Sequence, residues 1–97
     1  MARSRKPSEY KLQKIILAYL RNLPGCWSVK IITANERGVP DIVCCYKGKF
    51  FAFELKSQKG HLTKLQQYQI QTINDCGGVA GTVRDKKDVE NFLGELK

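Results

Sequence analysis

Two β-rich runs around a glycine turn constrain this chain most. They read Asp41-Ile42-Val43-Cys44-Cys45-Tyr46, then Lys47-Gly48-Lys49, then Phe50-Phe51-Ala52-Phe53-Glu54-Leu55-Lys56. Apolar runs of this length, bounded by turn residues, are the pattern of a β-hairpin. Side chains alternate faces along a strand, so Glu54 and Lys56 project the same way. A two-residue turn at Lys47-Gly48 sets Asp41 directly opposite Glu54. A turn at Gly48-Lys49 sets Asp41 opposite Lys56 and diagonal to Glu54. A three-residue turn flips one strand and separates them. Either two-residue register puts both carboxylates and the ammonium on one face, a set that suits a hard cation and phosphate chemistry.

The hairpin sits in a chain of 97 residues, enough for one small domain and one compact core. Met1–Pro7 reads as a flexible basic arm, and residues 8–97 as a single domain. Ser8 reads as a helix N-cap, followed by an apolar stripe at Leu12, Ile15, Ile16, Tyr19, Leu20 and Leu23. Pro24-Gly25 ends that helix. Trp27–Thr33 is β-rich, and Asn35–Pro40 is a loop whose Val39 is held extended by the proline after it. After the hairpin, Thr63 opens a second helix carrying Leu65, Tyr68 or Gln69, Ile73 and Cys76. Gly77-Gly78 stops it. Val79–Val83 is a short strand, parallel to Phe50–Lys56 if the helix between them is a crossover. Val89, Phe92, Leu93 and Leu96 close the chain as a third helix. The order is αβββαβα, an α/β fold with helices flanking a small mixed sheet.

A formal charge of +8 favours a polyanionic partner. The excess is uneven: residues 1–49 carry ten Lys/Arg against three acids, and residues 50–97 carry seven against six. Arg3, Arg5 and Lys6 on the arm, with Lys47, Lys49, Lys59 and Lys64 expected near the site, are the candidate contacts to a DNA backbone. The alternative is a soluble surface of mixed charge. The longest apolar run, Ile15–Leu20, is far too short to span a bilayer, and the N-terminus has no secretion signal. A cytoplasmic protein with no membrane partner is expected. Cys26, Cys44, Cys45 and Cys76 form no C-x-x-C pair, which reads as small thiols in a reducing compartment.

The chemistry concentrates on a few positions. Asp41 and Glu54, helped by the Leu55 main-chain carbonyl, are candidate ligands for Mg²⁺ or Mn²⁺. Glu54 ends a strand that is apolar on both faces before it, an unusual place for a charge without a use. Lys56 is placed to orient an attacking water and to stabilise phosphate charge, or to form a plain ion pair. Glu9, in the first turn of helix one, falls on the stripe that faces the core. It is a further candidate for the metal cluster, or an acid placed favourably at a helix start. Gln66 fits a capping box with Thr63, or a polar group beside the metal. His61 lies in a loop, where a solvated histidine is expected.

Gly38-Val39-Pro40-Asp41, then Glu54-Leu55-Lys56 after a hairpin, resembles the PD-(D/E)XK nuclease superfamily. With Glu9 on an early helix and Leu62-Thr63-x-x-Gln66 after the motif, the pattern is similar to its VRR-NUC branch, from Glu9 to about Leu93. The resemblance implies a restriction-endonuclease-like αβββαβ core followed by a C-terminal helix. It implies metal-dependent phosphodiester hydrolysis, with Asp41 and Glu54 as metal ligands, Lys56 as the catalytic lysine, and Glu9 and Gln66 in support. Stand-alone members look like phage or bacterial proteins and are associated with homodimeric cleavage of branched DNA, including four-way junctions. One site per chain makes the same demand, since two-strand symmetric cutting needs a pair. The rival readings are a restriction-like, nicking or flap endonuclease, a non-cleaving DNA-binding module of the same fold, and a protein-interaction domain.

Overall fold

A computed structural model describes residues 7–94. The arm residues Arg3, Arg5 and Lys6, and Leu96, expected in the closing helix, lie outside the described residues. The elements are α1 (Pro7–Arg21), β1 (Cys26–Lys30), β2 (Ile42–Tyr46), β3 (Lys49–Leu55), α2 (Lys64–Asp75), β4 (Val79–Val83) and α3 (Lys86–Leu93). That is the αβββαβα order expected. The helix starts at Pro7, so Ser8 lies inside the first turn rather than capping it. Proline suits that position, because its φ is fixed near the helical value and the first helical N–H groups have no partner in the helix to lose.

The four strands lie in the order β1-β2-β3-β4. The β1–β2 and β2–β3 pairs are antiparallel, and β3–β4 is parallel. The hairpin turns in two residues, Lys47 and Gly48, with Tyr46 opposite Lys49. Both turn residues have positive φ, 51° and 79°, the signs a type I′ turn demands. This selects the first register, and its continuation sets Asp41 opposite Glu54.

Alternation then divides the sheet. One face carries Ile42, Cys44 and Tyr46 of β2, Phe51, Phe53 and Leu55 of β3, and Val83 of β4, packed against Ile16 and Leu20 of α1 and Val89 and Leu93 of α3. The Phe53 and Phe92 rings meet at 5.6 Å. The other face carries Ala52 and Glu54, with α2 lying over β3 and β4. Burying these aliphatic and aromatic side chains contributes about 1.5–3 kcal/mol each.

Several expected core positions face water. Ile15, Leu65 and Tyr68 are exposed, as is Cys76. The sole buried residue of α2 is Gln66. The α2 stripe is therefore weak in apolar residues, and polar bonds hold much of it: Asn74 exchanges two hydrogen bonds with the Ala80 backbone, at 3.1 and 2.9 Å. β1 is shorter than the apolar run suggested, ending at Lys30 with Ile32 exposed. Cys44 is buried and its neighbour Cys45 exposed, as alternation requires. Among the described residues no helix is long and apolar enough to cross a membrane.

Candidate active site

The site forms where β2 begins and β3 ends. Asp41 is 3% exposed and Glu54 1%, two acidic side chains removed from water on adjoining strands. Asp41 takes part in two hydrogen bonds that fix it. Its carbonyl accepts from the Ile31 N–H at 2.8 Å, prolonging the β1–β2 ladder. Its Oδ2 accepts from the Leu55 N–H at 2.8 Å. The β2–β3 ladder ends at Ile42 and Phe53, and the Leu55 N–H just beyond it takes its acceptor from the Asp41 side chain; Pro40, opposite Leu55 in the register, has no N–H to donate to the Leu55 carbonyl.

Glu54 is held from α2. Gln66 Nε2 donates to Glu54 Oε2 at 3.1 Å. The same side chain closes the capping box: Gln66 Oε1 accepts from the Thr63 N–H at 2.9 Å, and Thr63 Oγ1 accepts from the Gln66 N–H at 3.1 Å. Gln66 thus serves the capping box and the Glu54 carboxylate at once, because an amide has an acceptor and two donors to divide.

The loop before Asp41 is pressed against α2. Gly38 has φ +81°, and a Cβ there would lie 2.6–2.9 Å from backbone atoms of Leu65 and Gln66. Gln69 Nε2 donates to Glu36 Oε1 at 2.9 Å and to the Arg37 carbonyl at 3.2 Å. The loop, α1 and the end of β1 enclose a cleft of about 410 Å³ that Tyr10, Gln13, Lys30 and Asp41 line.

Lys56 follows β3 directly, its N–H donating to the Val83 carbonyl at 3.0 Å. By alternation its side chain shares the Glu54 face, and it is half-buried. Glu9 comes from α1 to the turn after Lys56, where its Oε2 accepts from the Ser57 N–H at 3.1 Å. Among the described residues no group of three or more His, Cys, Asp or Glu side chains converges as a metal site. Glu9 thus meets the turn after Lys56 and forms no three-carboxylate cluster with Asp41 and Glu54.

The lysines divide. Lys59 and Lys64 are exposed in the segments after β3 and at the start of α2, at the end of the sheet that holds the site. Lys47 and Lys49 are not near it, contrary to expectation. They lie at the hairpin tip, five residues along the strand from Asp41, or about 17 Å. Closeness in sequence misled there, because a hairpin carries its turn away from its open end. His61 is exposed, as expected. Sequence reasoning missed Arg84, whose guanidinium bonds to carbonyls of the turn after Lys56, and Gln69. Their partners lie 24–33 residues away, and no local pattern announces them.

Residues 16–82, a span that includes Asp41, Glu54, Lys56 and Gln66, match the family described as archaeal Holliday junction resolvase (Hjc). The chain belongs to the Hjc family. Membership puts it among PD-(D/E)XK-like, structure-selective nucleases. A solved structure described as a VRR_NUC domain is similar at a TM-score of 0.77 and 18% identity, over 95% of this chain and all of the other. Archaeoglobus fulgidus Hjc, described as a Holliday junction resolvase from an archaeal hyperthermophile, is similar at a TM-score of 0.60 and 21% identity. That likeness covers 78% of this chain and 67% of the other. At such identities the two structures speak for the fold, which is the restriction-endonuclease-like core expected. No curated protein matches the sequence.

Proposed function

We propose that this Hjc-family chain is a Mg²⁺- or Mn²⁺-dependent endonuclease that hydrolyses phosphodiester bonds in branched DNA, four-way junctions foremost, and works as a homodimer. We group it with the VRR-NUC modules of phages and bacteria. The observation that carries the reading is the pairing of Asp41 and Glu54, nearly sealed from water, at the meeting ends of β2 and β3.

The donor set fits a hard cation. Asp41, Glu54 and the Leu55 carbonyl offer oxygen alone, and Mg²⁺ is commonly held by one or two carboxylates with waters and substrate phosphates completing its shell. Such a cation, when bound, lowers the pKa of a water and neutralises charge on the phosphate. The protein does the orienting. The Leu55 N–H fixes one oxygen of Asp41, and Gln66 fixes one of Glu54. Lys56, on the same face, aligns the attacking water and stabilises the phosphate's developing charge. Glu9 holds the turn that follows Lys56. Lys59 and Lys64 hold the strand approaching the site. Arg3, Arg5 and Lys6 contact DNA phosphates as well.

The deciding experiment compares four-way junction, flap and linear duplex at equal concentration, with Mg²⁺, Mn²⁺ or EDTA. Junction cleavage that needs the metal and vanishes in Asp41→Ala, with binding retained, is the expected result. Equal cutting of all three substrates refutes junction selectivity. No cutting by the parent protein with either metal leaves a binding module. Sedimentation of the free protein tests the homodimer.

A further inference from the structure

We propose that Arg84 is a positioning residue for Lys56, acting through the Ser57–Gly60 turn. The inference rests on the reading of Lys56 as the catalytic lysine. Arg84 follows β4, 28 residues beyond Lys56 in the chain. Its Nη1 donates to the carbonyls of both Ser57 and Gly60, the latter at 2.9 Å. Those residues form one turn, since the Gly60 N–H also donates to the Ser57 carbonyl at 3.1 Å. The turn is gripped from the other side by Glu9, through the Ser57 N–H. Arg84 is itself fixed: its N–H donates to Asp88 Oδ2 at 2.8 Å, and Asp88 belongs to the first turn of α3. The Val83 carbonyl beside it accepts from the Lys56 N–H.

The turn matters because of what lies against it. A Cβ built on Gly60 would stand 3.4 Å from Lys56 Cδ and 3.5 Å from Glu9 Oε2. Gly60 is therefore a wall for the aliphatic stem of Lys56. A lysine side chain is long and flexible, and an ammonium aimed at a phosphate needs that freedom removed in advance. The charge-assisted bonds from a single guanidinium to two carbonyls are strong and directional. They fix both ends of the turn from an element that β4 ties to β3. Both bonds end on the turn's backbone, so the effect of Arg84 passes through the turn.

Arg84→Ala and Arg84→Lys are the variants, each checked for folding by circular dichroism. Misplacing a catalytic group by an ångström costs about a hundred-fold. Arg84→Ala is thus expected to lower kcat on junction DNA by about that factor, with KM for the junction little changed. Arg84→Lys, which keeps a cation on a shorter side chain, is expected to recover part of kcat. The second readout does not need cleavage. Reductive ¹³C-methylation gives each lysine an NMR signal, and Lys56→Arg identifies that of Lys56. Its signal is expected to be set apart in the parent protein and to move to the solvent-lysine position in Arg84→Ala. Unchanged kcat and Lys56 signal in folded Arg84→Ala would overturn the proposal. A moved signal in a protein that never cleaves would sustain the positioning and refute the nuclease reading instead.

Discussion

Gln66 joins the start of α2 to Glu54: one end of its amide caps the helix at Thr63, and the other donates to the Glu54 carboxylate at 3.1 Å. The N-terminus of a helix and a candidate metal ligand thus share one side chain. Truncating it should show in both. Gln66→Ala loses a cap and leaves a buried carboxylate oxygen without that donor, so urea unfolding should report a loss of about 2 kcal/mol. Metal-dependent cleavage should fall with it. Gln66→Glu keeps the cap acceptor but sets a second carboxylate against Glu54. Its stability at pH 7 should lie below the parent's and rise on adding Mg²⁺.

Asp41 allows structure and chemistry to be separated. Asp41→Asn can still accept from the Leu55 N–H through its amide oxygen but carries no charge. It should unfold at nearly the parent's urea midpoint and show no metal binding by calorimetry. Asp41→Ala abandons a buried amide and should lose a further ~1–3 kcal/mol. Equal metal affinity in Asp41→Asn and the parent would remove Asp41 from the ligand set.

Gly38 is where the loop touches the helix. Gly38→Ala adds a methyl within 3 Å of the Leu65 and Gln66 backbone at a φ that side chains disfavour. Strain of that kind costs about 1–3 kcal/mol before the clash is counted. A fall in thermal midpoint, with weakened cleavage from a displaced Asp41, is expected. Gly48→Ala, at the open hairpin tip, is the matched comparison. It shares the positive φ, but nothing within 4 Å would meet the new Cβ, so its loss should be smaller.

The thiols should differ sharply. Burial, with Cys26 close by, pushes the Cys44 thiol up to about 12. Iodoacetamide at pH 8 should label Cys45 and Cys76 and spare Cys44 until the protein is unfolded. The raised value also ties stability to pH. The contribution of the neutral Cys44 thiol is complete below pH 9 and is lost as pH rises from there through about 12. Early alkylation of Cys44 would contradict its place in the core.

Salt titrations of DNA binding should separate the lysines. Each phosphate contact removed lowers the salt slope by about one. Lys59→Ala and Lys64→Ala should weaken junction binding and cleavage together. Lys49→Ala, at the hairpin tip, should leave the cleavage rate of bound junction unchanged.

Local chemistry made much of this protein legible in one dimension. A Lys-Gly turn between apolar runs implied the hairpin, Thr63-x-x-Gln66 the capping box, and Gly77-Gly78 the end of α2, because each depends on residues a few positions apart. The pairing of Asp41 with Glu54 followed from alternation once the place and length of the turn were fixed, and the structure fixed both, with Tyr46 opposite Lys49 and positive φ at Lys47 and Gly48. What the sequence left open was long-range. Leu65 and Tyr68 turned outward because α2 lies over β3 and β4 on the face that presents Ala52 and Glu54, where Gln66 is its one buried residue. Lys47 and Lys49 proved remote because strand length separates a hairpin's tip from its mouth. The grips of Arg84, Glu9 and Gln69 on the loops around the site join residues 24 to 48 positions apart. Such contacts have no period or spacing to betray them, and only the packed tertiary structure decides them.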